Sequence, residues 1–367
     1  MALLFGGKGT PWAGGPETLM LPLRVGQMLR PVGRWLSSYS AYLRTPAPER
    51  DARRTIWAEE TDRLLEFLAQ RLMQQCLAKF GELSNELELV VAAGRLAGLP
   101  LHAVRLSDGR FVAEALEILE YIPNLSILSP TPEESTLPTS ALCVVSDPFD
   151  DLPLTAAEGA EVARSLARVG AKVTVLARSG TEVGTSAFAR RGVAVDQGIN
   201  VQDATPTPTQ VAKLMEDRDH FFYTGHGTRR ERQSGLILVT DDGTEALLSQ
   251  DEILSMPALR KRPVIVLSAC ETARSEQGSS ELFDVASCFL RVGARYVLGS
   301  LWVVRGDYAT AFTDAFYKLL VSGLSPHRAY GQAIRELLKF RSSDAGKYAV
   351  PPNHPIYWSP FVALRGE

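Results

Sequence analysis

Two apolar runs of this chain end in residues able to act on a substrate. Residues 220–227 read HFFYTGHG and place His226 just beyond a β-rich run. Residues 264–270 read VIVLSAC and place Cys270 at the same point after a second run. In a doubly wound parallel sheet, sites assemble at the carboxyl ends of strands. If these two strands are neighbours, imidazole and thiol face one crevice, as a thiol nucleophile and its base require. A free cysteine has a pKa of ~8.5 and is mostly protonated at neutral pH. An imidazole can take that proton, or stabilise the thiolate as imidazolium, and later protonate a leaving amine. Gly225 and Gly227 flank His226 and tolerate backbone geometry that other residues resist. The N–H groups of Gly227 and Cys270 are candidates for an oxyanion hole, worth ~2.7–4 kcal/mol per donor in other enzymes.

The bland alternative is that a cysteine after a strand packs the core. That reading holds for Cys76, Cys143 and Cys288, which fall on apolar helix faces or within a strand, and for His220, which starts one. His102, His327 and His354 lack a comparable setting. Cys270 and His226 differ because both end apolar strands at matching places.

The elements that must position them form an alternating series. Residues 142–146, Lys172–Ala177, residues 220–223, Val264–Ser268 and residues 295–301 read as short, continuously apolar strands. Between and after them lie helices at about 155–169, 208–216, 281–292, 308–322 and 326–341. Their punctuation is a capping box at Thr155 and Glu158, another at Ser249 and Glu252, stops at Gly170 and Gly293, and Pro326 behind Ser325. Upstream, helical spacing runs from Trp57 to about Phe80. Residues 87–92 and 115–122 read as strands, and residues 129–140 as a linker. Residues 19–43 have some helical spacing, bounded by Pro22, Pro31 and Pro46. The pattern predicts an α/β fold, a three-layer sandwich with a mostly parallel sheet and helices on both faces. The predicted division is an N-terminal extension at 1–55, a helix/strand lead-in at 56–135 and a catalytic core at 140–367.

Composition narrows the function classes. The 367 residues carry 39 Lys+Arg against 42 Asp+Glu, a formal charge of −3, with 45% apolar and 22% charged residues. That is too apolar for intrinsic disorder and too neutral to recruit nucleic acid or anionic membrane by charge. No run of ~18 apolar residues predicts a membrane span. Four widely spaced cysteines give no CxxC pair and no zinc cluster with the five histidines. The expected setting is cytoplasmic and reducing, with no metal and no cofactor. Dinucleotide, P-loop, nucleophile-elbow and zincin motifs are all absent from the sequence.

The segments YTGHG, LSACETA, RVGARYVLGSLW, DAFYKLL and HPIYWSPFVALRG together resemble the CHAT family. These are caspase-like and separase-like domains of the clan that also holds caspases, gingipains and legumain. The likeness spans roughly residues 83–367 and includes AAGRLAGLPLHAVRL, EYIPNLSIL and CVVSDP. It implies a caspase–hemoglobinase α/β sheet, with His226 as catalytic histidine after the third core strand and Cys270 as nucleophile after the fourth. It further implies a cysteine endopeptidase acting on a partner protein in bacterial defence or regulated cell death, gasdermin-like proteins among the substrates. The alternative is an inactive caspase-like interaction or scaffold domain.

Three departures from the family pattern bear on that expectation. An acidic pair common after the SLW segment is replaced by Arg305 and Gly306, with Asp307 one position later. Basic-specific relatives use an acidic residue near there, so Asp307, Asp147, Asp150, Asp151 and Glu271 are the candidate substrate-binding carboxylates, with a lean toward cleavage after Arg or Lys. Residues 274–280 are short and polar and lack the usual GEG-like sequence. No TPR repeat or familiar sensor domain is recognisable, so activation by a sensor in trans is expected.

Overall fold

The computed structural model describes residues 2–7, 17–20, 25–75, 87–92, 96, 98–122, 137–177, 199–202, 205–230, 233–274, 284–342 and 349–366. The 129–140 linker lies largely outside these, as do Cys76, the expected helix end at Phe80, the helix start at 281 and nearly all of 274–280.

The amino-terminal part contributes β1 (Ala2–Gly7), β2 (Glu17–Met20), α1 (Val25–Arg44), α2 (Arg50–Leu68), β3 (Leu87–Ala92), α3 (Val112–Ala115) and β4 (Ile118–Ile122). The remainder runs β5 (Ser140–Ser146), α4 (Thr155–Arg168), β6 (Lys172–Ala177), β7 (Ile199–Gln202), α5 (Pro208–Met215) and β8 (His220–Gly225). It continues with β9 (Gly227–Arg230), β10 (Gln233–Val239), β11 (Glu245–Ser249), α6 (Gln250–Leu254), β12 (Val264–Ser268), α7 (Val285–Arg291) and β13 (Tyr296–Ser300). Then come α8 (Gly306–Val321), α9 (Pro326–Lys339), α10 (Pro355–Trp358) and β14 (Phe361–Arg365).

One 11-stranded sheet has the order β2-β1-β3-β4-β14-β13-β12-β8-β5-β6-β7. The six strands from β13 to β7 are mutually parallel. At β14 the direction reverses. It runs antiparallel to β13 but parallel to β4, and β4 is parallel to β3. The mostly parallel α/β sheet expected from the apolar runs is therefore present. Helices cover both faces because side chains alternate along a strand. On β8, Phe221 meets Phe289 of α7 while its neighbour Phe222 meets Tyr317 of α8.

Several local expectations are corrected. Thr155 and Glu158 form no capping box: Leu154 is the N-cap of α4, and Glu158 is turned into the protein interior. Helix α4 is buried on most of its circumference, Gly159, Ala160 and Ala163 included. Residues 112–115 form a helical turn before β4, so the expected strand at 115–122 is shorter. Helix α2 begins at Arg50, seven residues before the apolar pattern tightens. Helix α1 passes through Pro31. A proline in a helix costs ~3 kcal/mol, set here against burial of Met28, Trp35 and Tyr39 on one face. The short edge strand β7 and strand β9 carry too few continuous apolar residues to stand out in the pattern, whereas β10 has a continuous apolar run at 236–239 that the sequence reading passes over. With β7 counted, His226 follows the fourth strand of the parallel series and Cys270 the fifth.

The expected boundary at residue 55 falls inside α2. Helices α1 and α2 pack together, and Trp35 and Trp57 both meet Trp302 edge-on at 5.7 and 5.9 Å. Trp302 follows β13, so these helices lie against the carboxyl end of that strand.

Candidate active site

Strands β8 and β12 are neighbours, with Thr224 opposite Ser268, and β5 flanks β8 with Ser146 opposite Gly225. His226 and Cys270 therefore leave the sheet at the same level. The two loops touch backbone to backbone. A Cβ on Gly227 would overlap the Cys270 carbonyl oxygen and lie 3.4 Å from its nitrogen. Only glycine allows that approach. On the other side, a Cβ on Gly225 would overlap the Ser146 carbonyl oxygen.

The imidazole is held by carboxylates from the loop after β5. Its Nε2 lies 2.6 Å from Asp151 Oδ1 and 3.6 Å from Asp147 Oδ1. Asp147 is buried and accepts the Leu152 N–H at 2.8 Å. The ligand-capable atoms of Asp147, Asp151 and His226 all lie within 4.8 Å of one another. Phe149 packs edge-on to the ring at 5.2 Å. An Nε2–H donated to Asp151 leaves Nδ1 with the free lone pair, the nitrogen able to accept a proton. Asp150 sits at the turn with a positive φ of 54°, its backbone N–H donated to Asp147.

The Cys270 turn is fixed from beneath and from the side. Ser300, at the end of β13, donates its hydroxyl to the Ala269 carbonyl at 2.8 Å, and Ala273 N–H donates to the Ser300 carbonyl. Glu271 adopts φ 57°, uncommon for a residue with a Cβ. Its carboxylate accepts the Tyr39 hydroxyl at 3.1 Å and pairs with Arg274. Tyr39, from α1, also accepts the Val303 N–H at 3.0 Å, and the Arg274 guanidinium lies 4.6 Å from its ring centroid. Burial pushes the Cys270 thiol pKa up, a Val304 N–H directed at the sulfur lowers it, and the Glu271 charge raises it again, for a net rise. At rest the thiol is protonated, and the structure has no hydrogen bond between it and the imidazole.

A cavity of about 420 Å³ opens beside Cys270, between the strand ends and α8. Three carboxylates are among its lining residues: Asp151, Glu158 and Asp307. Asp151 faces His226. Asp307 is bonded to Arg305 through both oxygens, at 3.0 and 3.1 Å, and accepts the Ser342 hydroxyl. Glu158 is almost wholly buried and accepts hydroxyls of Thr224 at 2.6 Å and Ser268 at 2.8 Å. Burial raises its pKa, opposed by hydrogen bonds from Thr224, Thr313 and Ser268. Asp147, Asp150 and Glu271 are not among the cavity's lining residues. Sequence reading missed Glu158, Tyr39 and Val304. Of these only Glu158 carried a signal, a carboxylate among small residues on a core-facing helix.

Residues 62–366 match the CHAT domain model, and the chain belongs to that family. Tetratricopeptide repeat protein 28 of Homo sapiens is 29% identical over 123 residues, 34% of this chain and 4% of that protein. The Mus musculus form gives the same identity over 34% of this chain and 5% of its own length. The chain thus spans a small fraction of these relatives. Among solved structures, a complex of the RgpB pro- and mature domains of Porphyromonas gingivalis aligns with TM-score 0.47 at 10% identity, covering 95% of this chain and 77% of that one. The Saccharomyces cerevisiae separase–securin complex aligns with TM-score 0.44 at 15% identity, covering 73% and 15%. Among the described residues, no helix is long and apolar enough to cross a membrane.

Proposed function

We propose that the protein is a cysteine endopeptidase in which Cys270 attacks a peptide carbonyl and His226 is its base. The observation that carries this reading is the contact of the two loops, which leave adjacent parallel strands at one level with Gly227 against the Cys270 backbone. In the proposed reaction the thiol proton passes to the imidazole as sulfur bonds to the carbonyl carbon. The Gly227 and Cys270 N–H groups stabilise the oxyanion. The imidazolium then gives its proton to the leaving amine, and water attacks the thioester, with the imidazole again as base. Asp151 orients the ring. The raised thiol pKa makes this proton transfer necessary at neutral pH, since little thiolate forms unaided.

The acidic lining of the cavity supports cleavage after Arg or Lys. Asp307 is already committed to Arg305, so Glu158 is the carboxylate we assign to the P1 side chain. An entering guanidinium favours the ionised form of Glu158 and donates hydrogen bonds to its carboxylate. The substrate class is a partner protein. A gasdermin-like substrate, a role in bacterial defence and activation by a sensor in trans are carried over from the family resemblance.

The test pairs a peptide scan at P1 with Cys270→Ala. Wild type is expected to turn over Arg or Lys peptides and to be labelled at Cys270 by a peptide acyloxymethyl ketone. Cys270→Ala should lose turnover by at least about 10³-fold, the scale on which removing a nucleophile acts. Equal cleavage by both proteins, or absence of Cys270 labelling, overturns the assignment. A preference for Asp at P1 overturns the role of Glu158.

A further inference from the structure

The loop between β5 and α4 passes His226 before it reaches the Cys270 cavity, and its two parts differ. Asp151, Leu152, Pro153 and Leu154 are among the lining residues of that cavity, whereas Phe149 is not. Phe149 stands instead against the imidazole, with ring centroids 5.2 Å apart and planes at 65°. It is also 49% exposed. Among the described residues the large apolar side chains left exposed are few, and Phe149 is the one aromatic ring. The imidazole already has Asp151 at 2.6 Å and Asp147 at 3.6 Å to orient it. Half of the Phe149 surface nevertheless faces solvent, directly beside the group that handles the proton.

We propose that Phe149 is a specificity-determining residue for the leaving side of the scissile bond, its ring taking a large aliphatic or aromatic side chain at P1′, the residue after that bond. The proposal rests on the peptidase reading and adds a second position to its substrate. The chemistry of the leaving group supports the placement. The side chain before the scissile bond occupies the Cys270 cavity, and the imidazolium protonates the leaving amine. That amine belongs to the P1′ residue, which must therefore lie within reach of His226 and outside the cavity. Phe149 is the exposed apolar surface at that place. Covering it removes apolar area of ring and substrate from water, and an aromatic P1′ side chain adds ring packing. Charge narrows the choice further. Asp150 and Asp151 are exposed in the same loop, so an acidic P1′ side chain meets like charge.

The experiment uses peptides with Arg, or the residue preferred in the P1 scan, before the scissile bond and Gly, Asp, Lys, Leu or Phe after it. Turnover is measured with wild type, Phe149→Ala and Phe149→Leu. Binding is measured by fluorescence anisotropy with the same changes in the Cys270→Ala chain, so the subsite is read even without cleavage. For wild type, kcat/KM with Leu or Phe at P1′ is expected to exceed that with Gly about tenfold, and Asp should be poorest. Phe149→Ala should bring the Leu-to-Gly ratio to within about twofold of one, while Phe149→Leu keeps most of it. Circular dichroism shows that each variant is folded. A loss shared by all peptides, with the ratio intact, would make Phe149 a brace for His226 and overturn the proposal. So would equal turnover or binding of Gly and Leu peptides by the wild-type residue. A preference for Lys would assign the position to Asp150 and Asp151 and overturn it too. A Leu preference in binding that needs Phe149, without any cleavage by wild type, would count against the peptidase reading alone.

Discussion

The loop that carries His226 and the loop that carries Cys270 leave neighbouring strands at one level, yet they are held by different means. His226 is secured by one side of the sheet. Asp147 and Asp151 come from the loop after the adjacent strand β5, and the His226 carbonyl accepts an N–H from Ile237 in the following β10. The Cys270 loop is secured partly from far along the chain. Glu271 is bonded to Tyr39, 232 residues upstream, and the same hydroxyl accepts an N–H from Val303. The carboxylates also play different parts. Asp151 faces its imidazole directly, whereas Glu271 turns to α1 and acts on the thiol only through its charge. The two groups are thus held largely by different partners, and their supports meet at the Gly227–Cys270 contact and at Glu158, which accepts hydroxyls from both Thr224 and Ser268.

That contact is where a small change should do most. In Gly227→Ala the new methyl group overlaps the Cys270 carbonyl oxygen, so one loop must move. Displacing one oxyanion donor costs ~10²–10³ in kcat, and moving the nucleophile adds to that. We expect kcat/KM for the best peptide to fall at least about 100-fold with the sheet intact by circular dichroism. Activity within threefold of wild type would mean that the loops are not tightly coupled and the comparison is wrong.

The difference between the loops also decides how much could be read in advance. The strands β5, β6, β8, β12 and β13 were legible because each is a continuous apolar run buried on both faces. Their parallel pairing then forced His226 and Cys270 together, whatever else the chain does. Local caps such as Ser249 with Glu252 were legible because donor and acceptor lie three residues apart. Glu158 shows the limit of that logic. The same spacing behind Thr155 gave no cap, because α4 is buried on most of its circumference and carries the carboxylate to Thr224 and Ser268. Tyr39 was not legible at all. Its partners are set by where α1 packs, and nothing in the spacing of residues 19–43 points to residue 271.

A smaller effect is expected from the histidine side. Asp151 is 61% exposed in its side chain, so water partly replaces what it provides. Asp151→Ala should lower kcat about tenfold or less while leaving KM within twofold, because the ring loses its preferred orientation but not its place. Steady-state kinetics on one peptide distinguishes the outcomes. A rise in KM with unchanged kcat would reassign Asp151 from the imidazole to the substrate, as its position in the cavity lining also permits.

The smallest effect belongs to Glu271, and its sign is opposite. The Glu271 charge raises the Cys270 pKa by disfavouring a second negative charge beside it. Glu271→Gln removes the charge while its amide oxygen can still accept the Tyr39 hydroxyl, so the tether to α1 survives. With less repulsion the folded-state thiol pKa falls toward its ordinary value, and the thiolate fraction at any pH below that value rises. Alkylation of Cys270 by iodoacetamide across a pH series should shift to lower pH, with a rate at neutral pH a few-fold above wild type. Burial, the larger cause of the raised pKa, is unchanged, so the shift must be partial. A shift in the other direction would show that the tether to Tyr39, rather than the charge, governs the thiol, and the two loops would then differ less than their geometry indicates.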